Sequence, residues 1–251
     1  MNSIETCCLS YAYKQQIVIS DLALRVPQGA IFGYLGENGS GKTTSIQLLL
    51  GLIGNRKNIT ICGKNIENET ERIAMYRKVG SLIAPFFVYE HLTCLENLQY
   101  LNQFYHKSPI HLQRILQQIG LTNEQSKKVK YISTGMRQRL AIGLSLVNEP
   151  ELLILDEPIN GLDPVGIHAM RELFSDLHEQ GKTIFMSTHI LSEIEKICTH
   201  IGVLHKGSLL YQGELSALKK ENNMNNLEEI YLQMISHADV HSFDFNFKQD
   251  D

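Results

Sequence analysis

Cysteine is scarce, with five residues in 251. Cys7, Cys8, Cys62, Cys94 and Cys198 are odd in number and fall at no metal-ligand spacing. That argues against a disulfide framework and a thiolate metal centre, and fits reduced thiols in a cytosolic protein. An excess of positive charge is also lacking: 23 Lys and Arg stand against 27 Asp and Glu, a net charge of −4 with His neutral. Without a basic field, general electrostatic binding of nucleic acid is not expected. No window holds the ~20 apolar residues that a spanning helix needs. The start, MNSIETCCLS, lacks the basic and apolar regions of a signal peptide. Any membrane crossing is therefore assigned to another polypeptide. There is no internal repeat. What is present is an apolar share of 43%, enough for one α/β domain of generous size or two small ones.

Residues 4–35 read as strands and turns: 17–19 and 22–26 are apolar or alternating, and Pro27-Gln-Gly29 is a turn signal. Residues 31–35 form a buried-strand run ending in a glycine-rich loop. A helix is expected over 45–52 and a short strand over 58–61. Residues 94–149 are mostly helical by pattern, with helices near 95–104, 111–119 (capped by Gly120) and 134–147. Then strands at 152–155 and 183–186 alternate with helices at 165–179 and 191–197. A hairpin follows at 201–204 and 209–211. Such alternation implies a largely parallel sheet covered by helices. Asn222 to Asn226 is a polar break, 227–236 reads as a last helix, and the polar tail 237–251 has no assignment.

Three strings carry chemistry. Gly36-Glu37-Asn38-Gly39-Ser40-Gly41-Lys42-Thr43 matches G-x-x-x-x-G-K-[ST], after an apolar strand and before a helix. Its glycines let backbone N–H groups surround phosphate oxygens, Lys42 reaches the β- and γ-phosphates, and Thr43 offers a hydroxyl to Mg²⁺. The run 152–155 ends in Asp156 and Glu157, at the sheet edge where ligands sit in open α/β folds. Asp156 suits a Mg²⁺ held largely through water, and Glu157 suits orienting or deprotonating an attacking water. The third string is Ser133-Thr-Gly135-Met-Arg-Gln-Arg. A Ser and a Gly at a helix start make a second anion corner, or an ordinary N-cap.

Taken with Asn160-Gly-Leu-Asp163 and Ser187-Thr-His189, these strings stand in the order and spacing of the ABC transporter ATPases, which the sequence resembles over residues 3–220. The resemblance implies an α/β fold of the P-loop NTPase (ABC ATPase) type. It has a mostly parallel core sheet, an N-terminal antiparallel β subdomain and a helical signature subdomain near 85–150. Residues 221–251 follow as a C-terminal helix and polar tail. It further implies ATP and Mg²⁺ as ligands, with Thr44 beside Thr43 among the nucleotide contacts. Tyr13 falls at the adenine-stacking position, with Tyr11 a near alternative. Asp163 falls on the partner-facing loop, and His189 at the switch that contacts the γ-phosphate. Two copies, or two related subunits, would sandwich ATP between one Lys42 loop and the other's Ser133 and Gly135, on the cytoplasmic face of a membrane beside a separate permease.

One position departs from the pattern: Ala84 stands where relatives carry Gln or Glu, so either the register slips, with Glu90 the nearest acid, or coupling to the membrane partner differs. Finer strings, among them Val79-Gly-Ser-Leu-Ile and Tyr89-Glu-His-Leu-Thr93, resemble the bacitracin-resistance and lantibiotic-immunity ATPases of Gram-positive bacteria. That implies export of, or immunity to, a peptide antibiotic. Phe86 to Tyr89 is either a docking surface or core packing. The competing reading is a soluble ATP switch or low-turnover regulator not dedicated to transport.

Overall fold

A computed structural model describes residues 1–222 and 226–246, with side chains through residue 239 in the last stretch. The chain opens with β1 (Asn2–Thr6), β2 (Leu9–Tyr13), β3 (Gln16–Leu22), β4 (Arg25–Pro27) and β5 (Ile31–Leu35). Next come α1 (Lys42–Leu49), β6 (Ile59–Ile61), β7 (Lys64–Asn65), α2 (Glu69–Tyr76) and β8 (Val79–Leu82). A helical stretch holds α3 (Cys94–Asn102), α4 (Pro109–Gln118) and α5 (Thr134–Ser145). The remainder alternates through β9 (Leu152–Leu155), α6 (Pro164–Glu179), β10 (Thr183–Thr188) and α7 (Leu191–Ile197), then β11 (His200–His205), β12 (Ser208–Glu214), α8 (Leu215–Glu221) and α9 (Leu227–Asn246).

Six strands make the central sheet, ordered β12–β11–β5–β10–β9–β8. All neighbours pair in parallel except β12, which turns back antiparallel on β11. The runs Ile31–Leu35 and Leu152–Leu155 are apolar and buried throughout because both faces are covered. With side chains alternating along each strand, Leu35, Leu153, Leu155, Ile184 and Met186 pack with the helical stretch. Phe32, Tyr34, Ile154 and Phe185 pack the other way, against α1 and the second, antiparallel sheet β4–β1–β6–β7. Register then decides where the functional loops emerge. Leu35 lies beside Thr188, and Leu155 beside Met186. The loops after β5, β9 and β10 therefore leave from one edge.

The expected elements differ in a few places. The run 22–26 is split: Leu22 ends β3, which pairs with β2, while Arg25–Pro27 changes partner to β1. The helix expected from 45 starts at Lys42, because Gly41 turns the chain directly into it. Helix α2 buries Met75 and little else, so it has almost no apolar stripe to read. Helix α9 does not stop at 236. It continues through part of the unassigned tail, where Asp239 finds partners on another element. Residues 223–225 of the polar break and 247–251 of the tail lie outside the described residues.

Candidate functional site

The loop 36–41 is shaped by crowding as much as by its glycines' freedom. A Cβ on Gly36 would lie 2.5 Å from Ser40 Oγ and 2.6 Å from Leu204 O. Gly41 caps α1 at φ 107°, and a Cβ there would lie 2.6 Å from Ile19 Cδ1. Among the described residues no side chain caps the start of α1, so its first N–H groups are open to an anion. The Ser40 hydroxyl is buried and finds no partner among the described residues. Lys42 is buried as well; Nζ donates to Gly36 O at 2.7 Å and Glu37 O at 3.1 Å, and stands 3.5 Å from Glu157 Oε1. A buried cation beside open amides and an orphan hydroxyl is a donor set that fits phosphate.

The carboxylates complete it. Asp156, 2% exposed, accepts from Thr43 Oγ1 at 2.8 Å and from Ser187 Oγ at 2.6 Å. Ser187 Oγ in turn accepts from the Glu157 amide at 2.9 Å. Glu157 adopts φ 49°, a left-handed conformation that costs a non-glycine residue about 1–3 kcal/mol. It is held there by Ser187 and by Gln138, whose Nε2 donates to Glu157 O at 3.2 Å and Pro158 O at 2.6 Å. His189 Nδ1 lies 3.0 Å from Glu157 Oε2. One cavity of about 560 Å³ gathers Asn38, Gly39, Gly41, Lys42, Thr43, Thr44, Glu157 and His189, together with Val18 and Asn160. A buried carboxylate faced by a hydroxyl fits a hard, hydrated cation such as Mg²⁺.

Ser133, Gly135 and Asp163 are placed elsewhere, on a second cavity of about 350 Å³. Ser133 Oγ accepts from Met136 N at 3.2 Å as the N-cap of α5, and the residue also lines this cavity. Asp163 likewise caps α6, through Gly166 N at 2.7 Å. The structure does not bring Tyr13 to the first cavity. Its ring is half exposed and sits edge-on to Tyr11, and Val18 is the hairpin residue on the cavity wall. Neither Ala84 nor Glu90 lines the cavity; Glu90 is instead 2.7 Å from Arg137 Nη1. Of the aromatic stretch, Phe86 packs on the core while Phe87 is 86% exposed. All five cysteines are free. Ser187, Gln138 and Asn160 had drawn no individual role from the sequence. The signal for Ser187 was its place at the end of an apolar strand, one step before Thr-His.

A phosphate-cradling loop with an adjacent acidic pair, all at one edge of a parallel sheet, defines a P-loop nucleoside triphosphatase. Comparison with known proteins narrows the class. The family model described as ABC transporter matches residues 19–160. The bacitracin transport ATP-binding protein BcrA of Bacillus licheniformis is 40% identical over 96% of this chain and 81% of its own length. The lantibiotic transport ATP-binding protein SrtF of Streptococcus pyogenes is 34% identical over 90% of this chain and 95% of its own. A solved structure described as the ATP binding subunit of an ABC transporter superposes with TM-score 0.82 at 30% identity, covering 92% of this chain and 99% of that one. A nucleotide-free ATP-binding cassette, 21% identical with TM-score 0.77, agrees in fold. The chain belongs to the ABC transporter family. It is an ATP-binding subunit and an ATPase, of a kind that hydrolyses ATP to power transport and works with membrane permease partners. Among the described residues no helix is long and apolar enough to cross a membrane.

Proposed function

We propose that the chain binds Mg-ATP on residues 36–44 and hydrolyses it with Glu157, in a head-to-tail pair with a second copy or a related ATPase. The cassette spans residues 3–220, with a helical part near 85–150. The pair sits at the cytoplasmic face of the membrane and drives a permease that exports a peptide antibiotic of the bacitracin or lantibiotic class. The observation carrying the pair is the separation of two cavities on one chain, one with the phosphate loop and the other with Ser133, Gly135 and Asp163. A phosphate already cradled by residues 36–43 has no use for a second anion corner on the same chain, whereas a nucleotide from a partner does. The choice of substrate class rests on what BcrA and SrtF are described as transporting.

The residues divide the work. Lys42 and the loop amides bind and orient the terminal phosphates. Thr43 and Asp156 are the residues that would hold Mg²⁺, which neutralises phosphate charge when bound. Glu157 orients the attacking water and takes its proton, and His189 fixes the Glu157 carboxylate from Nδ1. The partner's serine-glycine corner closes over the nucleotide, so hydrolysis removes contacts that held the two copies together. The low-turnover alternative draws on Ala84, which puts a methyl where a polar side chain is the family expectation; measured turnover decides between them.

Glu157→Gln should keep ATP binding, stop turnover and hold an ATP-dependent dimer on size exclusion, while Ser133→Arg in the same background should return it to monomer. A Glu157→Gln chain that stays monomeric at saturating ATP contradicts the sandwich. For the substrate class, co-expression with the permease should raise the inhibitory concentration of bacitracin or a lantibiotic for a sensitive Gram-positive host. No change for either peptide removes that part of the reading.

A further inference from the structure

The C-terminal helix reaches the nucleotide site by a route that the catalytic strings do not use. Helix α9 is anchored first through buried Leu227, Ile230 and Tyr231. Its start is tied to α7, where Glu195 Oε1 accepts from Leu227 N at 3.3 Å and from Lys219 Nζ at 2.8 Å. Two turns beyond Tyr231, on the same face, stands Asp239. Its Oδ1 accepts from His205 Nε2 at 2.9 Å and from Lys206 Nζ at 2.6 Å. A carboxylate can only accept, so Nε2 carries the proton. His205 is buried and closes β11, while Lys206 and Gly207 form the turn into β12.

That turn is in direct contact with the phosphate loop. Gly207 N donates to Ser40 O at 2.9 Å, and Gly207 O accepts from Ser20 N at 2.9 Å. There is no slack: a Cβ on Gly207 would lie 2.2 Å from Val18 O. Val18 is itself on the wall of the nucleotide cavity. One side of the turn thus supports the loop at Ser40, the other supports β3, and Asp239 fastens the turn from outside.

We infer that Asp239 is a positioning residue for the nucleotide site: by clasping His205 and Lys206 it holds the turn that sets the phosphate loop against β3. The inference rests on the ATP site assigned above. The loop contacts phosphate before and during the reaction, so loosening it weakens binding of substrate and transition state alike. Uniform binding of that kind appears in KM and leaves kcat in place. A partly exposed, charge-assisted clasp is worth about three- to tenfold in an equilibrium constant.

The test uses the full chain, with ATPase kinetics and a thermal melt on each variant. Asp239→Ala should raise KM for ATP by about three- to tenfold with kcat within twofold of the parent. Asp239→Glu, which keeps the carboxylate, should recover most of the loss. Lys206→Met should raise KM less, and adding it to Asp239→Ala should bring less than the product of the two effects. A KM for Asp239→Ala within twofold of the parent, in a protein with unchanged melting temperature, overturns the inference. So does a fall in kcat with KM unchanged. The control is Lys42→Ala: if the parent turns over ATP and this variant does not, the site assignment stands and a normal Asp239→Ala refutes the clasp alone. If Lys42→Ala turns over normally, the site assignment itself fails and the clasp falls with it.

Discussion

Ser187→Ala deletes a single oxygen that serves the buried Asp156 carboxylate and the part-buried Glu157 amide. Ser187 is fully buried at the end of β10. Its hydroxyl donates to Asp156 Oδ1 at 2.6 Å and accepts from the Glu157 amide at 2.9 Å. Alanine fits the space but does neither. The bond to a charged carboxylate is worth about 1.5–3 kcal/mol, and an orphaned buried amide costs about 1–3 kcal/mol. Thr43 still serves the other oxygen of Asp156, so a loss of about 3 kcal/mol is expected rather than the sum of the upper values. For a chain of 251 residues that lowers the melting temperature by about 6–12 °C. Turnover should suffer separately. Glu157 is held at φ 49° partly by this hydroxyl, and misplacing a catalytic group by about 1 Å costs about 10² in rate. Ser187→Thr is the discriminating partner: it keeps the hydroxyl, so kcat recovers, while the extra methyl still lowers the melting temperature through overpacking. Calorimetry and steady-state ATPase at saturating ATP supply both numbers. A Ser187→Ala protein melting within 2 °C of the parent (about 1 kcal/mol or less) and retaining at least half its kcat would refute the argument that this hydroxyl positions the acidic pair.

Asp163 combines a cap with a cavity wall. Asp163→Ala should lose about 1 kcal/mol of stability in denaturant unfolding, whereas Asp163→Asn should keep the cap and isolate any effect of charge on turnover. Arg171 clamps Glu193 through two 2.7 Å bonds, Nε to Oε2 and Nη2 to Oε1, joining α6 to α7. Arg171→Met leaves the buried Glu193 carboxylate with only Lys196, at 3.6 Å, and should cost about 1.5–3 kcal/mol, while replacing both Arg171 and Glu193 by Met should cost less. The guanidinium fork, ahead of Lys196, holds the Glu193 carboxyl below its ordinary 4.5. A depressed folded value contributes stability that is present above 4.5 and is lost as pH falls through the folded value. The parent should therefore lose more stability between pH 5 and its acid transition than Glu193→Gln does, and parallel acid titrations of unfolding would contradict this.

The strings of the candidate site were legible because each is contiguous. A buried strand delivers its next residues to the sheet edge, so Gly36 to Thr43, Asp156 with Glu157, and His189 all appear just after an apolar run. The supports were not legible for the same reason turned round. Gln138 reaches Glu157 O across 19 positions and Ser187 reaches Asp156 across 31, distances that only strand order and helix placement can close. Helix α2 escaped because only Met75 is buried, leaving no stripe to read. The course of α9 past 236 escaped because its anchor at Asp239 is tertiary.

The site is accordingly as well defined as the register of β10 against β9. Met186 lies opposite Leu155, which sets Ser187 level with Asp156 and leaves His189 two residues further on, beside Glu157. A slip of one residue would carry Thr188 or Met186 to that level and exchange the two faces of β10. Phe185 would then be driven out of its contacts with Phe32 and Tyr34, and Ile184 and Met186 out of the core on the helical side. The packing of both faces of this strand is thus also what delivers a hydroxyl to Asp156. Phe185→Ala, which removes the ring packed on Phe32 and Tyr34, should cost about 3–5 kcal/mol in denaturant unfolding and lower kcat in an ATPase assay by letting the end of β10 shift away from Asp156; an unchanged kcat in a destabilised protein would contradict this.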